Sequence, residues 1–174
     1  RFFPYTQRNV DEVIEEIRIL KEISPFTKML FLEDDVFGID IKWLEEFAGK
    51  YNQKLPFHAN MRFEFVDPSK EKGQKRLELL KKAGCSGLSL AIESGDETIR
   101  KEILNRNTPE ELIFDVMHAL KENDFRVRTY NMLGFPYGIT TTPTEMNLDA
   151  DLQTLELNVR LKEKTGLPTF AWAS

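Results

Sequence analysis

The stretch that most constrains this chain is Gly87-Leu88-Ser89-Leu90-Ala91-Ile92-Glu93-Ser94-Gly95. Small and aliphatic residues run for the length of a strand and stop at a carboxylate, a hydroxyl and a glycine. Read as a continuous run without alternation, it predicts a parallel strand covered on both faces whose C-terminal end opens onto polar chemistry. Ligands of α/β sheets and barrels collect at those C-terminal ends, which makes Glu93 the first candidate site residue.

Segments of helical period alternate with such strands. Asn9 begins a helix with Glu12 at the capping-box spacing and Val10, Val13, Ile14, Ile17 and Leu20 on one face. Lys28 to Glu33 predicts a buried strand ending in Glu33-Asp34-Asp35. Asp40 then caps a helix with Ile41, Leu44, Phe47, Ala48 and Tyr51 inward. A second strand runs from Phe57 to Phe63, where His58, Asn60 and Arg62 alternate with Ala59, Met61 and Phe63. Asp67-Pro68-Ser69 opens a helix closed by Gly84, and the Gly87–Glu93 strand follows. A short helix is expected from Asp96 to Leu104. Thr108-Pro109-Glu110-Glu111 supplies an N-cap, a first-turn proline and a capping-box glutamate for the next one. Phe125 to Leu133 is a fourth strand, closed by Gly134-Phe135-Pro136-Tyr137-Gly138 and a threonine-rich loop. A long helix from Thr144 to Lys164, ended by Gly166, leads to a final strand from Leu167.

This order predicts right-handed βαβ crossovers and one parallel sheet with its helices outside. Five strands are too few for a closed eight-stranded barrel. The expected architecture is a partial barrel in a single domain over residues 1–174, with a flat doubly wound sheet as the alternative. Parallel strands share one C-terminal rim. It gathers Glu33, Asp34 and Asp35 from the first strand, Asn60 and Arg62 from the second, Glu93 and Ser94 from the third, and Asn131 and Gly134 from the fourth. Acids on separate strands can hold a divalent cation such as Mg²⁺. They can equally grip the hydroxyls and ammonium group of a polar cofactor while an arginine takes its carboxylate. The second and fourth strands lack a further acid, which favours the cofactor.

Composition removes several other classes. A net charge of −5 disfavours nucleic-acid and anionic-membrane partners, and Lys70, Lys72, Lys75 and Arg76 lie beside leucines as a solvated helix face would. No run has the ~18 apolar residues of a membrane span. A lone cysteine, Cys85, makes neither an intrachain disulfide nor a Cys-only metal site, and a cytoplasmic location is expected. There is no P-loop, no dinucleotide fingerprint and no Ser-His-Asp arrangement.

The ordered set Asn9–Ile17, Phe31–Phe37, Asn60-Met61-Arg62, Leu79–Cys85 running into Gly87–Gly95, Arg106 with Thr108, and Met132–Pro136 resembles the radical S-adenosylmethionine (SAM) superfamily. Its pattern is most similar to the cobalamin-associated and methylthiotransferase-like members. The resemblance implies a (βα)6 partial barrel with SAM across the strand ends, cleaved by a 4Fe–4S cluster to a 5′-deoxyadenosyl radical. It implies that Glu33, Asp34 and Asp35 meet the methionine amino group, with Asn60 and Arg62 on the same rim. Glu93 and Ser94 would bind the ribose hydroxyls and neighbouring polar groups, Arg106 or Arg128 the SAM carboxylate, and Met132 with Gly134 would lie near the adenine. Cobalamin is a further cofactor of some such proteins.

The family's CxxxCxxC loop, which follows its first barrel strand, does not occur in this sequence, and Cys85 precedes its strand instead of following it. The expectation is a segment covering strands two to six of a parent enzyme. It would bind SAM as its small-molecule partner, be inactive alone, and rely on an N-terminal strand and flanking domains of the parent. The alternatives are a divalent-metal enzyme using Asp34, Asp35 and Glu93, or a non-catalytic nucleotide- or protein-binding module.

Overall fold

A computed structural model describes residues 6–136, 146–167 and 170–173 of the chain. Residues 1–5, the threonine-rich loop and the expected helix start at Thr144 lie outside the described residues. Helix α1 (Val10–Ile23) opens at Asn9, whose side chain accepts the Asp11 amide. Strand β1 (Leu30–Leu32) follows, then α2 (Ile41–Lys50), which Asp40 caps through the Lys42 amide. After β2 (Phe57–Met61) and a 3-10 turn (Phe63–Phe65) come α3 (Glu71–Lys82) and β3 (Cys85–Glu93). A π-type turn (Ile99–Ile103), α4 (Glu110–Glu122), β4 (Arg126–Asn131), α5 (Leu148–Thr165) and β5 (Phe170–Ala173) complete the order. Gly166 ends α5 in the left-handed conformation that favours glycine.

All four strand pairings are parallel, and the strands lie side by side in chain order, β1 to β5. A doubly wound sheet reverses its strand order at a switch point. This sheet does not reverse among the described residues, so the partial barrel replaces the doubly wound alternative. The guanidinium of Arg128 on β4 stands 5.0 Å over the ring of Phe31 on β1, past two intervening strands, and the sheet curls around that concave face.

The core lies on the opposite, convex face. Leu88, Leu90 and Ile92 of β3, Ala59 and Met61 of β2 and Val127 of β4 are buried there with Leu44, Phe47, Leu77, Leu80, Ile113, Met117 and Leu157 from the helices. The opening stretch therefore alternates, contrary to the expectation of an unpatterned run. Its large aliphatics face the helices, and Gly87, Ser89, Ala91 and Glu93 take the concave side. Gly87 is needed there because a Cβ would stand 2.6 Å from His58 Nδ1.

Other expectations change for identifiable reasons. β1 is half-exposed, not buried, because among the described residues it is an edge strand paired only with β2. The helix from Asp96 is a five-residue π-type turn, and α4 starts at Glu110 with Pro109 in the cap position. The Thr108 hydroxyl instead donates to Glu64 at 2.8 Å. Asp67 caps a local turn through the Ser69 amide, four residues ahead of α3. Arg76 does not belong to the solvated basic face. It is 5% exposed and follows the buried spacing Gly73, Arg76, Leu77, Leu80.

Candidate functional site

Each strand delivers its C-terminal end to the same rim, and local bonds fix what stands there. At β1, the exposed Glu33-Asp34-Asp35 loop is tied to β2 by Asn60. Its side-chain amide donates to the Asp34 carbonyl at 2.9 Å, and its backbone carbonyl accepts the Phe37 amide at 3.0 Å. The other side-chain atom, Asn60 Oδ1, is buried without a hydrogen-bond partner, as is Arg62 Nε, whose guanidinium stands 3.6 Å from the Glu64 carboxylate. Buried polar atoms are nearly always paired in a folded protein, which leaves Asn60 Oδ1 as an acceptor open to a ligand or a water, whereas Arg62 Nε faces the Glu64 carboxylate.

At β3 the ladder slips between Ala91 and Glu93, and Glu93 takes a φ of 70°. For a residue with a Cβ this conformation costs on the order of 1 kcal/mol, and such strain gathers at functional sites. It lets the Glu93 carbonyl accept the Met132 amide at 2.7 Å and sets its carboxylate 2.7 Å from the Arg106 guanidinium. The two side chains are 14% and 28% exposed, open enough for a ligand to share either group. Met132 is partly exposed beside them. Gly134, at φ 80°, gives its amide to the Asp151 carboxylate at 2.9 Å and joins the β4 exit to α5.

Ser94 turns away from this rim. It is 0% exposed, its Oγ accepts the Asp96 amide at 3.2 Å, and its carbonyl accepts from Arg100 at 2.6 Å. Gly95 continues inward. Its amide donates to Thr154 Oγ1 of α5 at 2.7 Å, and a Cβ there would collide with the Gln153 backbone. Asn131 also leaves the rim for the convex face, where its Oδ1 accepts from Asn158 while Asn158 Oδ1 accepts the Thr129 hydroxyl. Sequence position placed both residues correctly along their strands, and the bulge and the α5 contacts decided their direction.

Two buried arginines hold the rim in shape: Arg76, read from the sequence as part of a solvated face, and Arg100, which the sequence reading passed over. Arg100, 1% exposed, donates to the carbonyls of Thr108 and Ser94. Arg76 donates to those of Gly38, Phe65 and Ile39 and lies over the Phe65 ring. Burial lowers both pKa values, yet both stay charged because each guanidinium is satisfied by carbonyl oxygens. The Arg76 spacing was legible in the sequence. Arg100 carried no such signal, since its partners lie on loops.

Below the rim, the concave face carries a second layer. Phe31 stacks on His58 with ring centroids 4.6 Å apart, and His58 Nε2 lies 2.8 Å from Ser89 Oγ. Burial first, and the Arg128 charge second, lower the His58 pKa from its ordinary value to about 4, leaving the imidazole neutral. Among the described residues, no group of three or more His, Cys, Asp or Glu side chains could hold a metal ion. Asp34, Asp35 and Glu93 do not converge, and Glu93 is taken by Arg106, so the divalent-metal alternative loses its ligand set. Among these residues no helix is long and apolar enough to cross a membrane.

The sequence model of the Radical SAM superfamily matches residues 1–139. A search of curated proteins finds no match. Among solved structures, the radical S-adenosylmethionine methyltransferase TsrM from Kitasatospora setae, with cobalamin and a 4Fe–4S cluster bound, superposes with a TM-score of 0.65 at 14% identity. The alignment covers 90% of this chain and 28% of that one. A second TsrM structure, with tryptophan substrate and the SAM analogue aza-SAM, gives the same score and identity over 29% of its length. Coproporphyrinogen III oxidase (HemN) from Escherichia coli, a radical SAM enzyme, scores 0.59 at 15% identity, covering 90% of this chain and 36% of its own. The chain thus spans about a third or less of each neighbour, and these likenesses concern the fold.

Proposed function

The chain belongs to the Radical SAM superfamily, and from that premise we propose that its strand-end rim is a SAM-binding site. The observation that carries this reading is the Glu93–Arg106 pair at the β3 bulge, a carboxylate and a guanidinium held 2.7 Å apart by a left-handed backbone. SAM offers ribose hydroxyls to the first and a carboxylate to the second. Glu33, Asp34 and Asp35, exposed and joined to β2 through Asn60, face the methionine ammonium group. The orphaned Asn60 Oδ1 accepts an N–H or O–H from the ligand, and Arg62 supports that wall through Glu64. Met132 and Gly134 flank the adenine. Ser94 acts through the backbone of its turn, since its hydroxyl is buried and engaged.

A 4Fe–4S cluster supplies the electron that cleaves SAM to a 5′-deoxyadenosyl radical in such enzymes. The residues of this chain do not fit the cluster. Its single cysteine is buried at the N-terminal end of β3, donates to the Gly87 carbonyl, and has its thiol pushed up to about 12 by burial. A thiol so hard to ionise is a poor metal ligand. On this reading the chain contributes the SAM rim to a larger, cytoplasmic radical SAM enzyme. The cobalamin bound to TsrM makes cobalamin the first additional cofactor to test in such a parent. The test is calorimetric titration of the folded chain with SAM. Saturable binding is expected, weakened about tenfold or more in Glu93→Gln because a charge-assisted hydrogen bond is lost. Unchanged affinity in that variant would refute the role of Glu93, and no binding by the folded chain would refute the site.

A further inference from the structure

We propose that the floor of the concave face, centred on Arg128 with Ser89 and His58, is an anion subsite for a carboxylate or phosphate group of the substrate, separate from the SAM rim. The proposal rests on the SAM reading for what lies above it and on its own geometry for what it binds.

Depth separates the two. Arg128 is paired in register with Ser89, whereas Glu93 is paired with Asn131, three residues further along β4. At a strand rise of ~3.3 Å per residue, the Arg128 backbone stands roughly 10 Å below that of Asn131, the residue level with Glu93. Among the half-buried and buried arginines its pairing distinguishes it as well, Arg126 being exposed. Arg106 has Glu93, Arg160 has Glu110, Arg62 has Glu64, and Arg76 and Arg100 are satisfied by carbonyls. Arg128 has no carboxylate or carbonyl partner among the described residues. What holds it is the face of Phe31, 5.0 Å from its guanidinium carbon, and that ring is fixed in turn by stacking on His58. A half-buried guanidinium, oriented by a ring and with its planar donors unpaired among the described residues, is arranged to receive an oxyanion in bidentate fashion. Its neighbours do not compete for that role. Ser89 is uncharged, and the buried imidazole of His58 is neutral near pH 7. The floor therefore carries the Arg128 charge beside the buried Ser89 hydroxyl, which is engaged by His58, and the exposed Arg126, in register with Gly87, adds a second positive charge at its lower edge.

The experiment uses the 174-residue chain, isotope-labelled, with arginine Nε–H and histidine ring NMR signals as the readout. Glutarate and inorganic phosphate are the anionic probes, glutaramide is the neutral control, and SAM is titrated separately. A saturable shift of the Arg128 and His58 signals is expected with at least one anion and none with glutaramide. Arg128→Gln should weaken that binding by about tenfold or more, while Arg128→Lys, which keeps the charge without the fork, should weaken it less. SAM affinity should stay within about twofold in both variants. A preference for glutarate identifies a carboxylate substrate, and a preference for phosphate a phosphorylated one. No saturable shift with either anion in a folded sample overturns the proposal. So does competition between the anions and SAM with SAM binding lost in Arg128→Gln, which would assign Arg128 to the SAM carboxylate instead. Anion binding by a chain that does not bind SAM would leave the subsite standing and remove the rim reading alone.

Discussion

The two faces of the one sheet are built on opposite rules from alternate residues of the same strands. On the convex face Leu88, Leu90, Ile92, Met61 and Val127 lie buried under the helices, and what matters there is volume. On the concave face Gly87, Ser89, His58, Phe31 and Arg128 are small, polar or aromatic, and what matters there is which groups are left unpaired. Fold and site are thus separable at a spacing of one residue, because strand side chains alternate with period two.

The largest effect expected on this contrast is for the neighbours Leu90 and Ser89. Leu90→Ala removes a side chain that is 0% exposed and should cost about 2–5 kcal/mol in chemical denaturation. Ser89→Ala, one residue away, should cost about 1 kcal/mol or less, since it loses a single hydrogen bond to His58. Equal losses at the two positions would break the contrast. Arg100→Leu probes the hinge between the faces. It strands the carbonyls of Ser94 and Thr108 and should destabilise by about 2–3 kcal/mol. It should also weaken SAM binding, because Glu93 adjoins the turn that Arg100 holds. Undiminished SAM affinity in a folded Arg100→Leu sample would detach that turn from the site.

Acid supplies a smaller and more diagnostic effect. The His58 pKa is depressed in the folded chain, to about 4 from an ordinary value of 6.5, so the folded state resists taking up the proton. This contribution to stability is intact above the unfolded pKa and is lost as pH falls from about 6.5 towards 4. It amounts to about 3 kcal/mol, with Arg128 the charged group facing the imidazole. Carboxylates titrate in the same range, so the measure is the difference between the parent chain and His58→Gln across that window. A constant difference would show that the imidazole is not held neutral.

Much of the fold was legible because helical period, cap residues and βαβ order are local signals. Asn9, Asp40 and Gly166 terminate helices where they were expected to. The alternation of β3 was also present in the sequence, since Leu88, Leu90 and Ile92 interleave with Gly87, Ser89 and Ala91. It was obscured because the concave-face residues are small and resemble a continuous apolar run. Of the candidate site, the rim positions of Glu33, Asp34, Asp35, Asn60, Arg62 and Glu93 followed from strand ends alone. Arg106 and Glu93 were singled out separately, but that they bind each other could not be read.

By itself, then, the sequence determined the order of elements, the parallel sheet, the superfamily and the rim to which the polar residues are delivered. Only the tertiary structure decided which way those residues turn. It sent Ser94 and Asn131 inward, buried Arg76 and Arg100, paired Glu93 with Arg106 and left Arg128 without a partner among the described residues. The physical reason is that periodicity encodes a residue's face, whereas its partner depends on register. At the one-residue slip between Ala91 and Glu93, register is set by the neighbouring strand and by α5, far away in the chain.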